Sequence, residues 1–141
     1  NLVNRGFEIG LSEVAMHEQV GLLAYSPLAQ GTLTGKYLGG QMPQGSRLAL
    51  FGDGPLMMRY KGDKTQQAIE MYVNLAKKYE IDPAQLAIQF CNIQPFVTST
   101  IIGATTMEQL KTCIDSVDLD ITKEIINEIR SIHKEIPNPA P

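Results

Sequence analysis

The run Leu22-Leu23-Ala24-Tyr25, closed at once by Ser26-Pro27, decides how this chain is read. All four positions are apolar, and unbroken apolar character suits a strand covered on both faces, as in a parallel sheet. Pro27 has no N–H to give to a ladder, so the strand must stop there. A second run of the same kind lies far downstream, from Phe96 to Ile102, rich in β-branched residues and ended by Gly103.

Helical patterns surround these two runs. Ser12 is predicted to cap a short helix, Glu13 to Gln19, that ends at Gly21. Asp63 or Thr65 opens a strong helix on which Ala68, Met71, Tyr72, Leu75 and Ala76 share a face, with Lys77 and Lys78 at its C-terminal end. Asp82-Pro83 is an N-cap followed by proline at the first helical position, and its helix stops before Pro95. Thr105 with Glu108 and Thr106 with Gln109 form two overlapping capping boxes for a helix to about Val117. Thr122 caps a last helix with the stripe Ile125, Ile126, Ile129 and Ile132, and Pro137, Pro139 and Pro141 leave an extended tail.

Strands alternating with helices predict an α/β fold with βα units on a parallel sheet. Two strands are too few for such a sheet to stand alone, and a complete (β/α)8 barrel runs to about 250 residues. With 141 residues, this chain is expected to be part of a domain. It begins at Asn1 without an initiator methionine, which adds the expectation of residues upstream.

The composition is that of an ordinary globular chain, with 43% hydrophobic and 19% charged residues. A formal net charge of −3 argues against a general nucleic-acid binder. No apolar stretch approaches the length of a membrane span, and no segment has the layout of a signal peptide. Cys91 and Cys113 stand without a CxxC or a histidine at ligand spacing, so neither zinc nor a disulfide framework is expected, and a reducing, cytoplasmic setting is.

One segment is unlike the rest. Eight of the twelve glycines fall between Ala29 and Gly62, with Pro43 and Pro55 among them. The region 29–62 is expected to be a long loop with one helical turn near Thr32 to Leu38, and loops of such length are usually functional or disordered. It is the first candidate for a ligand lid.

Within it, Gly31-Thr32-Leu33-Thr34-Gly35-Lys36-Tyr37 falls short of a Walker A loop, having three residues between its glycines and Tyr37 where Ser or Thr should follow the lysine. Position is a better guide. Barrel folds bind phosphate at the loops after their last two strands and at a neighbouring helix N-terminus. Here those loops carry Ser26, Lys36 and Arg47 after the first strand, and Gly103, Thr105, Thr106 and Gln109 after the second. Glycine at 103 lets a backbone approach a ligand, and the helix start supplies free N–H groups. The plainer alternative is that Thr105, Thr106 and Gln109 only cap a helix while Lys36 and Arg47 are solvated. His17 and His133 lack partners at a catalytic spacing. Asp118 and Asp120 read as turn residues, Met57-Met58 as loop packing, and Cys91 and Cys113 as helix packing.

The stretch Tyr25-Ser26-Pro27-Leu28-Ala29-Gln30-Gly31-Thr32-Leu33-Thr34-Gly35-Lys36-Tyr37 resembles the seventh-strand signature of the aldo-keto reductases. Ser99-Thr100-Ile101-Ile102-Gly103-Ala104-Thr105-Thr106-Met107-Glu108-Gln109-Leu110 resembles their eighth-strand signature, and Pro83-Ala84-Gln85-Leu86-Ala87-Ile88 the helix between. The resemblance covers nearly the whole chain. It implies the C-terminal portion of a (β/α)8 TIM barrel, about the last two βα units plus a C-terminal helix. It also implies NADPH as cofactor, a small aldehyde or ketone as substrate, and no metal. On this resemblance Ser26, Pro27, Leu28 and Gln30 line the pyrophosphate path with Gly31 in the same loop. Lys36 and Arg47 hold the 2′-phosphate, and Thr105 and Gln109 contact it from the other strand. The adenine positions are occupied by Thr112 and Cys113, unlike the Glu and Asn of related members.

The family's Asp, Tyr, Lys and His tetrad belongs to early strands and has no counterpart here; Tyr25 and Tyr37 stand in other contexts. The expectation is therefore a cofactor-gripping part without catalytic residues, inactive as a reductase by itself. Two alternatives stand beside it. One is a truncated, non-catalytic binding or assembly module whose strand edges need a partner or self-association. The other is a small phosphate-binding domain outside the family.

Overall fold

The computed structural model describes residues 1–52 and 54–141. Two short strands, β1 (Leu22–Ala24) and β2 (Val97–Thr100), pair in parallel, with Leu22 opposite Val97, Leu23 opposite Ser99 and Ala24 opposite Thr100. The ladder continues one step beyond the strand, where the Ile101 N–H donates to the Ala24 carbonyl at 2.7 Å. Among the described residues seven α-helices accompany them: α1 (Leu11–His17), α2 (Arg47–Phe51), α3 (Pro55–Met58), α4 (Asp63–Lys78), α5 (Pro83–Asn92), α6 (Met107–Asp115) and α7 (Lys123–Glu135).

Local chemistry explains most boundaries. Asp82 Oδ1 accepts the N–H groups of Ala84 (2.7 Å) and Gln85 (3.2 Å), and Pro83 occupies the first helical position, where its missing N–H costs nothing. Thr122 Oγ1 accepts from Ile125 N in the same way at the start of α7. The α6 cap differs slightly from a reciprocal box. Thr106 Oγ1 accepts from Gln109 N, but Gln109 Oε1 reaches back past Thr106 to the N–H and hydroxyl of Thr105.

Three expectations need correction. Helix α1 begins earlier and is capped by Gly10; Ser12 lies inside it, buried, with its hydroxyl donating to the Glu8 carbonyl. The region 29–62 is no open loop: 3-10 turns at Ala29–Thr34 and Leu38–Gly40 and helices α2 and α3 break it up. Ser46, whose Oγ accepts from Ala49 N, starts α2 there. Finally, the strands are shorter than read, and their apolar residues are not covered on both faces. Leu23 is 59% exposed and Ile101, just past β2, 50%. An apolar run fixes what a strand can bury, whereas burial itself depends on neighbours that a two-stranded sheet lacks.

The core lies instead among the helices. Ala68, Ile69, Tyr72, Val73 and Ala76 of α4 meet Leu86, Ala87 and Phe90 of α5 and Ile125, Ile129 and Ile132 of α7. Ala29 and Leu33, from the turn after β1, join this cluster and so anchor that turn to the helical layer. The proline-rich tail is docked rather than free: the Ala140 N–H donates to the Val3 carbonyl at 3.1 Å, and Thr65 Oγ1 donates to the Pro139 carbonyl at 2.6 Å.

Candidate functional site

Because β1 and β2 run parallel side by side, the segments that follow them emerge at the same edge of the sheet. The structure thereby places at one edge of the sheet two sequence regions, 26–47 after β1 and 103–109 after β2.

The first region is backbone-strained. Ser26 (φ 53°), Ala29 (φ 48°) and Gln30 (φ 59°) are left-handed without being glycine, and Gly31 follows at φ 90°. Such residues cost roughly 1–2 kcal/mol each in this conformation, so the surroundings must hold them. They do so in three ways. Asn1 Nδ2 donates to the Ser26 carbonyl at 3.1 Å. Ala29 is fully buried, as are Thr32 and Leu33 nearby. The N–H groups of Gly31 and Leu33 both donate to the Leu28 carbonyl. Pro27 is buried and Leu28 packs against the core.

Within this turn the half-buried Gln30 Nε2 donates to Ser26 Oγ at 3.3 Å, while Gln30 Oε1 is buried with no protein partner among the described residues. With its oxygen accepting from Gln30, the Ser26 hydroxyl keeps its own proton to donate. Gly31 has a second reason to be glycine. A Cβ there would stand 3.0 Å from Lys36 Cε and 3.1 Å from Nζ, so its absence lets the lysine lie across the turn.

The two cations differ in setting. Lys36 is half-buried, with Nζ 5.2 Å above the centre of the Tyr37 ring. Arg47 is exposed and is the first residue of α2. Tyr37 Oη, from a largely buried side chain, accepts the N–H of Leu48 at 3.4 Å. Ser46, buried beside Arg47, caps the same helix.

The second region is open. Gly103 has nothing within 4 Å of where a Cβ would stand. Thr105 and Gln109 are exposed and bonded to each other, Thr105 Oγ1 donating to Gln109 Oε1 at 3.1 Å. Among the described residues no side-chain bond joins them to Lys36 or Arg47. A concavity of about 310 Å³ lined by Ile102, Ala104, Thr105, Thr106, Met107 and Leu110 lies here. A larger one, about 550 Å³, opens between β2, α5 and α6. Of the positions the resemblance assigns to the nucleotide only Cys113, at an adenine position, lines it, and Thr100, whose buried Oγ1 lacks a protein partner among the described residues, borders it.

The two positions after this region offer little to a base. The Thr112 carbonyl accepts from Gln85 Nε2, and Cys113 is buried. Burial, with a smaller contribution from Asp82, pushes the Cys113 thiol above its ordinary value; burial does the same to Cys91. Among the described residues no group of three His, Cys, Asp or Glu is arranged to hold a metal. Likewise, no described helix is long and apolar enough to cross a membrane.

Sequence reasoning missed Asn1, Ser46 and the Tyr37 hydroxyl. Ser46 carried a legible signal, a serine just ahead of Leu48, Leu50 and Phe51. The other two act across distances that local patterns do not encode.

Comparison with known proteins bears on the family and the fold. The chain is 50% identical over all 141 residues to the protein Tas of Escherichia coli K12. It spans 40% of the length of that protein. L-glyceraldehyde 3-phosphate reductase of the same organism is 33% identical over 121 residues, which cover 84% of this chain and 35% of the reductase. The structure of a glycerol dehydrogenase from Gluconobacter oxydans superposes with a TM-score of 0.73 at 22% identity, over 98% of this chain and 41% of that one. The fold is accordingly α/β, a portion of a (β/α)8 barrel. The sequence profile of the Aldo/keto reductase family matches residues 1–134, and the chain belongs to that family.

Proposed function

We propose that this chain is the NADP(H)-holding part of an oxidoreductase that reduces an aldehyde or ketone. The observation that carries the reading is the left-handed, non-glycine backbone at Ser26, Ala29 and Gln30, immediately after β1. Strain of this kind concentrates at ligand clamps. The residues present fit a nucleotide. The Ser26 hydroxyl proton suits a phosphate oxygen, and the buried, unpartnered Gln30 Oε1 suits a ribose hydroxyl.

When bound, NADPH supplies the hydride for the reduction. The residues of this chain bind and orient it. Ser26, Pro27, Leu28, Gln30 and Gly31 follow the pyrophosphate, and Lys36 and Arg47 neutralise the 2′-phosphate. Gly103, Thr105 and Gln109 close on it from the adjoining strand, with the N–H groups at the start of α6. Thr112 and Cys113 are not assigned to the adenine. Similarity to L-glyceraldehyde 3-phosphate reductase, by its name an enzyme that acts on an aldehyde, supports a carbonyl substrate. No residue here is assigned a catalytic role, and the chain alone is expected not to oxidise NADPH with a reactive aldehyde.

The test is a titration of NADPH and NADH against the protein and its Lys36→Ala and Arg47→Ala variants. Each substitution should weaken NADPH by about 1.5–3 kcal/mol, the worth of a charge-assisted contact, and NADH far less. Equal losses for both nucleotides would refute the assignment.

A second reading, a non-catalytic assembly module, draws on the exposed Leu23, Tyr25 and Ile101 at the sheet. Light scattering that shows a stable monomer counts against it.

A further inference from the structure

Lys36 and Arg47 come from different local structures, and the backbone joining them does little to fix their separation. Gly39, Gly40 and Gly45 in that connection are all left-handed, at φ 68°, 76° and 74°, with open space where a Cβ would stand. Segments rich in such glycines have many accessible conformations. Arg47 lies at the start of a five-residue helix and is exposed. Something other than the connecting chain must hold α2 in register with Lys36.

Tyr37 is the side chain that touches both. Its ring lies beneath the Lys36 ammonium, 5.2 Å from Nζ to centroid, a cation–π geometry. Its hydroxyl accepts the N–H of Leu48, the residue directly after Arg47. That N–H lies in the first turn of α2, where no intrahelical carbonyl is available to it. The phenol is 7% exposed, so both contacts are made by a side chain that its surroundings hold still. The bare Cα of Gly31 leaves room for the lysine beside the ring, since a Cβ there would stand 3.1 Å from Nζ and 3.7 Å from Tyr37 Cε2.

We infer that Tyr37 is a positioning residue that makes Lys36 and Arg47 one clamp: its ring seats the lysine and its hydroxyl seats the helix that begins with the arginine. This deepens the 2′-phosphate reading and rests on it. A phosphate carrying two negative charges gains most when both cations reach it together, so the spacing set by Tyr37 governs preference for the phosphorylated nucleotide. It does not govern nucleotide binding as such.

The experiment is a double-mutant cycle on the ratio of NADPH to NADH affinity, using Tyr37→Phe, Lys36→Ala, Arg47→Ala and the paired variants. Phenylalanine keeps the ring and removes only the acceptor of the Leu48 N–H. Tyr37→Phe should lower the affinity ratio about five-fold, the scale of one hydrogen bond. Tyr37→Phe should add nothing to Arg47→Ala, because the arginine it positions is gone, but should add its full effect to Lys36→Ala. A residue that merely packs would give the same loss in every background. Three outcomes would overturn the inference. If Lys36→Ala and Arg47→Ala leave the ratio unchanged, the phosphate reading itself fails, and the inference with it. If both lower the ratio while Tyr37→Phe keeps it at the parental value, only the role of Tyr37 fails. The same holds if Tyr37→Phe lowers it equally in all backgrounds.

Discussion

Asn1 holds Ser26: its Nδ2 donates to the serine carbonyl at 3.1 Å, across an interval of 25 positions in the sequence. The same side chain folds back on its own backbone, with Oδ1 accepting the N–H groups of Val3 and Asn4. One amide thus shapes the first turn of the chain and pins the strained turn after β1. Asn1→Ala removes all three bonds. Its unfolding free energy should fall by about 1–2 kcal/mol, read from the shift of the urea midpoint. Amide exchange at 26–31 should quicken more than in α4. An unchanged midpoint would show that the turn is held without Asn1.

Glu80 presents the opposite case, strain without a task. It follows α4 with φ 57°, while the Ile81 N–H returns to the Ala76 carbonyl at 2.9 Å. This is the position at which helices favour glycine, and no bond from the glutamate side chain compensates among the described residues. Glu80→Gly should raise stability by about 1 kcal/mol, visible as a higher melting temperature. A lower melting temperature would mean that the side chain contributes something its exposure conceals.

The uneven burial of apolar residues gives a paired prediction. Ile129 of α7 is 1% exposed in the helical core, whereas Leu23 stands largely in solvent on the sheet. Ile129→Ala should cost about 2–5 kcal/mol, while Leu23→Ser should change stability by no more than about 0.5 kcal/mol. Chemical denaturation of both variants checks this. A large loss at Leu23 would reveal that the sheet face is covered in solution.

Stability should also depend on pH through His133. Burial and the nearby Arg5 lower its pKa below the ordinary value of 6.5, with Glu8 opposing. The unfolded chain then binds the proton more readily than the folded one. Its contribution is therefore fully present above about pH 6.5 and declines as pH falls toward the lower folded value. His133→Gln should flatten the stability profile just below pH 6.5. An unaltered slope there would place the pH dependence on other groups. Glu128, whose carboxyl is lowered first by Lys78 and then by Tyr79, acts in the more acidic range below 4.5.

What could be read from the sequence follows the range of the interactions concerned. Asp82-Pro83 and Thr122 announce their helices because a cap is a bond between near neighbours, complete within three residues. The stripe on α7 predicted its buried face for the same reason. The burial of Leu22–Ala24 was misread because covering a strand is the work of other strands. The motif of 25–37 pointed to the candidate site, but not to its construction. Nothing in the letters Ser26, Ala29 or Gln30 signals left-handed backbone, since that conformation is imposed by Asn1 and by burial of Ala29. The Tyr37–Leu48 bond was equally silent, joining residues across a connection whose glycines permit many paths.

The direction of the sheet carries a kinetic consequence. With Leu22 opposite Val97 and no hairpin between them, the first strand contact must close a loop that contains the whole of α2 to α5. The entropy of such a closure is spent before any pairing repays it. The helical cluster of α4, α5 and α7 can gather through shorter loops, so the alignment of Ala24 with Thr100 is expected to be a late event in folding. A ligand that spans the ends of both strands would then recognise only chains that have finished that step, making its binding a clock for the last stage of assembly.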